Sequence, residues 1–142
     1  MAKQKKRSYT EAEARAGIDA RLPEIECWEN QYPDYENVIE FPEYTSVCPK
    51  TGLPDFGAIT ITYVPDQWCV ELKSFKEYLL AYRNLGIFYE NATNRILRDF
   101  VKACGPISAR VDGKFTPRGG ISTAVVVEYR RKHVHVRRSR PR

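Results

Sequence analysis

The order in which hydrophobic periodicity changes along this chain limits the folds it can adopt. Residues 56–64 (FGAITITYV) alternate between apolar and hydroxyl side chains, which is typical of a half-buried antiparallel strand. Apolar residues then recur at helical spacing over 75–85 and again over 92–104, and residues 121–129 return to strand-like sequence. Strands at both ends with helices between them predict an α+β domain, with an antiparallel sheet backed by two helices.

Breaks in these patterns predict the boundaries of the elements. We expect a short strand over Asn37–Phe41 ending at Pro42, and then a hairpin of Phe56–Val64 with Trp68–Leu72. Two helices should follow, one from Lys73 to Leu85 stopped by Gly86 and one from Glu90 to Cys104. The last elements are a strand over Ile107–Val111 with a turn at Asp112-Gly113, and a strand over Ile121–Tyr129. Because Val125–Val127 is apolar on both faces, we expect a partner subunit or helix to cover it. The sequence has neither alternating βα units nor a Gly-rich first turn, so a Rossmann fold is excluded.

The net charge of +5 comes from the two ends of the chain. Of 23 Lys and Arg residues, 11 lie in residues 1–7 and 130–142, which contain no acid, so 8–129 has 12 basic and 18 acidic residues and a net charge of −6. We therefore predict a flexible or loosely docked arm over 1–20, a catalytic domain over 21–129 and a basic, disordered tail over 130–142. An acidic body argues against a phosphate backbone held across the folded face.

The cysteine, histidine and apolar patterns exclude several protein classes. The four cysteines form no CxxC pair and both histidines lie in the tail, so we expect no metal site. No apolar run is long enough to cross a membrane, and no apolar stretch follows the basic N-terminus as in a secretory signal. We expect a cytoplasmic protein.

The segment Cys48-Pro49-Lys50-Thr51-Gly52-Leu53-Pro54-Asp55 is the richest in chemical groups. A thiolate is a nucleophile, Lys50 is able to lower its pKa, and a desolvated Asp55 is able to donate or accept a proton. The alternative is a turn with an incidental cysteine.

Three further segments carry candidate binding groups. Lys73 and Lys76 lie one turn apart near a helix start, where they form either a phosphate site with free N–H groups or a solvated basic face. Glu90 opens the next helix, either as a favourable first-turn acid or as an acceptor for the N–H edge of a guanine-like ring. In Arg118-Gly119-Gly120, an arginine fork lies beside glycines that let backbone approach a ligand.

Together these segments resemble the QueF family of NADPH-dependent 7-cyano-7-deazaguanine reductases. The resemblance covers about 36–127 and is most specific in SVCPKTGLPDFG at 46–57 and VELKSFKEY at 70–78. It implies the tunnelling fold (T-fold), assembled into rings, with two stacked pentamers as one arrangement for a single-module chain. It also implies a homo-oligomer that reduces the nitrile of 7-cyano-7-deazaguanine to 7-aminomethyl-7-deazaguanine with NADPH, in queuosine biosynthesis for tRNA, without needing nucleic acid or membrane.

The resemblance assigns roles to individual residues. It implies Cys48 as the nucleophile that forms a thioimide and Asp55 as the general acid. The substrate-binding residues it implies are Val70, Glu71, Leu72, Tyr89 and Glu90. The cofactor-binding residues it implies are Leu72, Lys73, Lys76, Arg118 and Gly119. Tyr89 departs from the family pattern, because many members have histidine there.

Other functions agree less well with the sequence. An archaeal amidinotransferase relative, acting on nitrile-bearing tRNA, keeps the cysteine and aspartate but lacks the motif present here over 73–76. A zinc enzyme similar to GTP cyclohydrolase requires histidine, and residues 8–129 contain none. A non-enzymatic RNA-binding protein recruited through its tail conflicts with the acidic body.

Overall fold

A computed structural model of the chain describes residues 8–132. Its elements, in chain order, are α1 (Glu11–Arg15), β1 (Cys27–Glu29), β2 (Asn37–Val47), β3 (Pro54–Val64), β4 (Trp68–Val70), α2 (Leu72–Leu80), a 3₁₀ turn (Ala81–Asn84), α3 (Tyr89–Cys104), β5 (Ser108–Arg118) and β6 (Ile121–Arg130). The four long strands form one antiparallel sheet in the order β2-β3-β5-β6. The predicted α+β class, with two helices backing an antiparallel sheet, is confirmed.

The core lies between one face of this sheet and helices α2 and α3. The alternation of β3 buries Ile59, Ile61 and Tyr63, as its sequence predicts. The Tyr63 ring meets Phe100 of α3 edge-on at 4.7 Å, and Phe75 of α2 meets Phe100 at 5.5 Å. Aromatic edge contacts therefore join the sheet to both helices.

The predicted hairpin between β3 and β4 is wrong. Strand β4 pairs with β1, with Trp28 opposite Cys69, and the two form a separate two-stranded sheet. Because β2 and β5 occupy both edges of β3, no edge of β3 is free to receive β4. The Val70 N–H instead donates to the Tyr63 hydroxyl at 3.1 Å.

The predicted turn at Asp112-Gly113 is also wrong, because β5 runs straight through it. Gly113 lies opposite Ile59 and Val125 in the sheet. A Cβ at Gly113 would lie 2.8 Å from the Phe115 ring and 2.8 Å from the Thr93 hydroxyl, so glycine there permits close packing within the sheet and against α3. The chain reverses instead at Gly119-Gly120, between β5 and β6.

The ends of β2 and α2 differ from the sequence prediction, whereas those of α3 and β6 match it. Strand β2 continues past Pro42 through a bulge between Phe41 and Tyr44. Helix α2 ends at Leu80, and Gly86 does not end it but bridges to Val47. The ends of α3 and β6 agree with prediction to within one residue, and Gly105 adopts φ 53°, ψ 55° after α3. In β6 the side chain of Val126 is half-exposed, so residues 8–132 do not cover the outer face of the strand there.

Part of the predicted N-terminal arm packs on the domain. The buried guanidinium of Arg95 donates to the carbonyls of Gly17 and Ala20, and Asn91 donates to the Ala14 carbonyl at 2.8 Å. Residues 8–20 therefore lie against α3. The rest of that arm, 1–7, and most of the predicted tail, 133–142, lie outside the described residues.

Candidate functional site

Cys48 begins a tight loop between β2 and β3, which we call the cysteine loop (residues 48–53). The Cys48 N–H donates to the Leu53 carbonyl at 2.9 Å, and the Gly52 N–H donates to the Cys48 carbonyl at 2.9 Å. Gly52 has φ of +70°, a conformation that strains other residues. The loop therefore holds a partly buried thiol on a short, internally bonded segment.

The surroundings of the Cys48 sulfur favour its thiolate. Partial burial and the charge of Asp55 disfavour the thiolate, but hydrogen bonds from the Thr51 hydroxyl and from the N–H groups of Thr51 and Lys50 outweigh them, so the pKa of Cys48 lies below its ordinary value. The thiolate is the nucleophilic form of cysteine. The cysteine loop thus makes the Cys48 sulfur easier to deprotonate than an ordinary cysteine.

Asp55 is a buried carboxylate held from two sides. It is 4% exposed, and its Oδ1 accepts a hydrogen bond from the Tyr89 hydroxyl at 3.0 Å. An amino group of the Arg118 guanidinium lies 2.9 Å from the same oxygen and also donates to the Pro54 carbonyl. These contacts offset the cost of burying the charge and fix the carboxylate within electrostatic reach of Cys48.

Tyr89 supplies a phenol to the same site. Its ring stacks on Phe115 of β5, with centroids 4.1 Å apart and the planes 12° from parallel. Burial, then the hydrogen bond to Asp55 and its charge, raise the pKa of Tyr89, and Arg118 opposes them only in part. Tyr89 therefore remains a protonated donor at neutral pH, where histidine would titrate.

Glu71 caps helix α2. Its carboxylate accepts from the N–H groups of Lys73 at 2.8 Å and Ser74 at 2.7 Å, and these hydrogen bonds, Ser74 first, lower the pKa of Glu71. The sequence suggested that free N–H groups at this helix start hold a phosphate together with the Lys73 and Lys76 side chains. That is wrong for the N–H groups of Lys73 and Ser74, because the Glu71 carboxylate already accepts from both.

The structure brings together only part of the sequence-predicted set. Cys48, Asp55, Tyr89 and Arg118 form one cluster, which we call the thiol–acid cluster. Among residues 8–132, no hydrogen bond or ion pair joins this cluster to Val70, Glu71, Leu72, Lys73, Lys76, Glu90 or Gly119. Val70 is buried; Leu72, Lys73, Lys76, Glu90 and Gly119 are exposed.

Sequence reasoning missed three residues that shape the cluster. The Thr51 hydroxyl helps to lower the pKa of Cys48. The sequence signal for it was a hydroxyl residue three positions after a cysteine in a glycine-containing loop. Phe115 stacks under Tyr89, and a strand pattern gives no sign of that. Ser46 lies directly opposite Asp55 between β2 and β3, fully buried and with its hydroxyl unpaired in the described structure.

Two kinds of feature are absent from the described residues. Over 8–132 there is no group of three or more His, Cys, Asp or Glu side chains placed to hold a metal ion. In the same range no helix is long and apolar enough to span a membrane.

Known proteins resemble this chain along most of its length. It is 62% identical over 125 residues to the NADPH-dependent 7-cyano-7-deazaguanine reductase of Elusimicrobium minutum, which covers 87% of this chain and 95% of that protein. It is 59% identical over 107 residues to the protein of the same name from Chlorobaculum tepidum, covering 74% of this chain and 92% of that one.

A solved structure shares the fold. The apo crystal structure of the archaeosine synthase QueF-Like matches with a TM-score of 0.62 at 24% identity, over 66% of this chain and 91% of that one. The family model described as QueF-like protein matches residues 54–134. That match and the identities to the two reductases show that this chain belongs to the QueF family.

Proposed function

We infer that this chain is an NADPH-dependent 7-cyano-7-deazaguanine reductase that forms 7-aminomethyl-7-deazaguanine for the queuosine of tRNA. Relatives up to 62% identical bear that name. The observation that carries the chemistry is the thiol–acid cluster, in which a Cys48 thiol of lowered pKa faces the buried carboxylate of Asp55. A nitrile carbon is an electrophile, and a thiolate beside a proton-handling group suits it.

The first step is addition of sulfur to the nitrile. We propose that the Cys48 thiolate attacks the nitrile carbon, so that a C–S bond forms, one C–N π bond breaks, and the electron pair moves to nitrogen. The Asp55 carboxylate takes up the proton that the Cys48 thiol loses and passes it to nitrogen, so that the product is a neutral thioimide and the carboxylate is restored. The hydroxyl of Tyr89 and the guanidinium of Arg118 hold the Asp55 carboxylate in place, which favours proton transfer along a fixed direction.

The exposed cations of the chain fit a phosphate-bearing cofactor. Lys73 and Lys76 lie exposed on α2, and neither forms an ion pair within residues 8–132. We propose that they hold NADPH together with Leu72, Arg118 and Gly119. When bound, NADPH supplies the hydrides, two per nitrile reduced to an amine. Cys48 keeps the partly reduced carbon attached and leaves as the thiol when the C–S bond breaks.

Substrate recognition falls to the carboxylates near the two helix starts. We propose that Glu90 accepts from the guanidine-like edge of the 7-deazaguanine ring, since its side chain is exposed at the start of α3. The adjoining wall of the site is formed by Glu71, Val70 and Leu72. Tyr89 lies between the substrate ring and Asp55, to which it donates a hydrogen bond. Because Glu71 caps α2, its carboxylate is oriented before substrate arrives.

We propose that the active form is a homo-oligomer, arranged as rings and in the two-pentamer form that the family resemblance implies. Strands β2 and β6 each pair on one side only within the described chain. The exposed apolar side chains of Ile121 and Val126 lie on β6, and an unpaired strand edge of this kind favours pairing with another subunit. We place the enzyme in the cytoplasm, where thiols such as Cys48 stay reduced.

One assay tests this function. Purified protein should oxidise NADPH only when 7-cyano-7-deazaguanine is added, and intact mass should show a covalent adduct when NADPH is left out. Cys48→Ala should abolish both, while Cys27→Ala, which changes a cysteine outside the cluster, should retain both. Formation of the adduct without NADPH oxidation, and of an amidine on adding ammonia, would support the amidinotransferase alternative instead.

A further inference from the structure

The N-terminal segment (residues 8–20) reaches the cysteine loop. The Lys50 ammonium donates to the Ser8 carbonyl at 3.2 Å and lies 5.4 Å from the centre of the Tyr9 ring. The Tyr9 ring in turn meets Phe88 edge-on at 5.4 Å. Since Phe88 caps α3 immediately before Tyr89, one aromatic ring joins the loop that carries Cys48 to the helix that carries Tyr89.

A second contact of the N-terminal segment is made beside Cys48. Gly17 has φ of +79°, and a Cβ there would lie 2.5 Å from the Gly86 carbonyl oxygen and 2.8 Å from the Ile87 Cβ. The N–H of Ile87 donates to the Val47 carbonyl at 3.0 Å, and Val47 immediately precedes Cys48. The segment therefore lies directly against the backbone that anchors the first residue of the cysteine loop.

Buried charge fixes the segment in this position. Arg95 is 7% exposed and donates to the Gly17 and Ala20 carbonyls, while its Nε lies 3.2 Å from Asp99. Arg98 donates to the Ile18 carbonyl at 2.9 Å. Because a buried guanidinium without partners is costly, α3 favours the docked segment. Tyr9 is thus held at the site by its own chain.

We propose that Tyr9 is a positioning residue for Cys48, whose ring holds the Lys50 side chain so that the N–H groups of Lys50 and Thr51 stay directed at the sulfur. The proposal rests on the role of Cys48 as nucleophile in the proposed function. An aromatic ring attracts a cation above its face through the ring quadrupole. The ring of Tyr9, and not its hydroxyl, is therefore the part that the proposal requires.

The effect should be visible in the titration of Cys48. Loss of the Lys50 and Thr51 donors makes the thiolate less favourable, which raises the pKa of Cys48 from its lowered value. The other charged or titratable groups that face Cys48 are Asp55 from β3, Tyr89 from α3 and, through Asp55, Arg118 from β5. All three are left unchanged in the variants below.

The experiment is alkylation of Cys48 by iodoacetamide in the full chain, followed by peptide mass spectrometry from about pH 6 to about pH 10. Tyr9→Ala should shift the profile to higher pH and slow labelling at neutral pH by about threefold or more. Tyr9→Phe, which keeps the ring, should follow the wild type. Tyr32→Ala is the control, because it removes a ring that is 74% exposed, and its labelling profile should also match that of the wild type.

A second variant covers the case in which Tyr9→Ala unfolds the protein. Lys50→Met removes the cation but leaves the contact between Tyr9 and Phe88, and it should give the same shift. A wild-type profile in either folded variant, or equal loss in Tyr9→Phe and Tyr9→Ala, would overturn the proposal. If Tyr9→Ala moves the profile while wild-type protein fails to reduce the nitrile, the positioning role stands and the proposed function falls.

Discussion

The Thr51 hydroxyl acts on both ends of the cysteine loop. It accepts from the Leu53 N–H at 3.2 Å, and it helps to lower the pKa of Cys48 against the opposing effect of burial. Both effects belong to one side chain that is neither a nucleophile nor an acid. Removing it therefore changes the reactivity of the sulfur without touching either reacting group.

Thr51→Val should raise the pKa of Cys48 towards its ordinary value. A hydrogen bond to a charged group contributes about 1.5–3 kcal/mol, so labelling of Cys48 by iodoacetamide at pH 7 should slow by about tenfold. Thr51→Ser keeps the hydroxyl and should behave as the wild type. Equal profiles for Thr51→Val and Thr51→Ser would show that the hydroxyl does not act on the sulfur.

Arg118 differs from the other proposed cofactor-binding residues because its guanidinium forms an ion pair with Asp55. We expect Lys73→Met to raise KM for NADPH by about threefold to fivefold, the scale of one exposed ion pair, and to leave adduct formation at Cys48 unchanged. Arg118→Met should also slow adduct formation, because Asp55 loses its ion pair at 2.9 Å. Lys102→Met on α3 is the matched control. The expectation fails if Arg118→Met changes only KM.

Helix α3 shows which features of an element the local sequence decides. Its apolar stripe and the glycine after Cys104 predict both of its ends, and Gly105 takes the left-handed conformation expected after a helix. The same reasoning applied to Gly86 is wrong, because α2 passes into a 3₁₀ turn before it. A glycine after an apolar stripe is therefore a stop only where its backbone adopts positive φ.

These two glycines give a direct test. Gly105→Ala forces a side chain into φ of +53° and should lower the free energy of unfolding by about 1 kcal/mol. Gly86→Ala should change it by less than about 0.5 kcal/mol, because φ there is not positive and no atom lies within 4 Å of the added Cβ. Urea unfolding of both variants at pH 7 measures this, and equal costs would contradict the assignment.

The parts that sequence reasoning missed depend on contacts distant along the chain. Pairing of β1 with β4 joins segments about 40 residues apart, and three-residue strands carry too little periodicity to predict it. The contact of Arg118 with Asp55 depends on β5 continuing through Gly113, which only the packing of Phe115 and Thr93 explains. Cys48 and Asp55, by contrast, were predictable as neighbours because one short loop connects them.

At the scale of the whole molecule, the core contains four tyrosines that must stay neutral. Each is at most 1% exposed, and burial, as the largest cause, raises the pKa of each: Tyr44, Tyr63, Tyr78 and Tyr82. Tyr78 donates to Asp99 at 2.6 Å and lies 2.8 Å from the Tyr82 hydroxyl. The Tyr44 hydroxyl forms no hydrogen bond within the described residues, and the nearby Ser46 hydroxyl offsets only part of the rise in its pKa.

These tyrosines predict loss of stability in base. Because the folded state raises their pKa above the unfolded value of about 10, their stabilisation is complete below pH 10 and is lost as the pH rises further. Each group contributes a slope of up to about 1.4 kcal/mol per pH unit, so the four together give up to about 5.4 kcal/mol per unit above pH 10.

Tyr44→Phe removes a hydroxyl that forms no hydrogen bond within the described residues. It should therefore keep stability at pH 7 within about 1 kcal/mol while reducing this slope by about 1.4 kcal/mol per pH unit. Urea unfolding at fixed protein concentration and several pH values measures both effects, with exposed Tyr32→Phe as control. A slope equal to that of the wild type in Tyr44→Phe would show that Tyr44 ionises without unfolding the core.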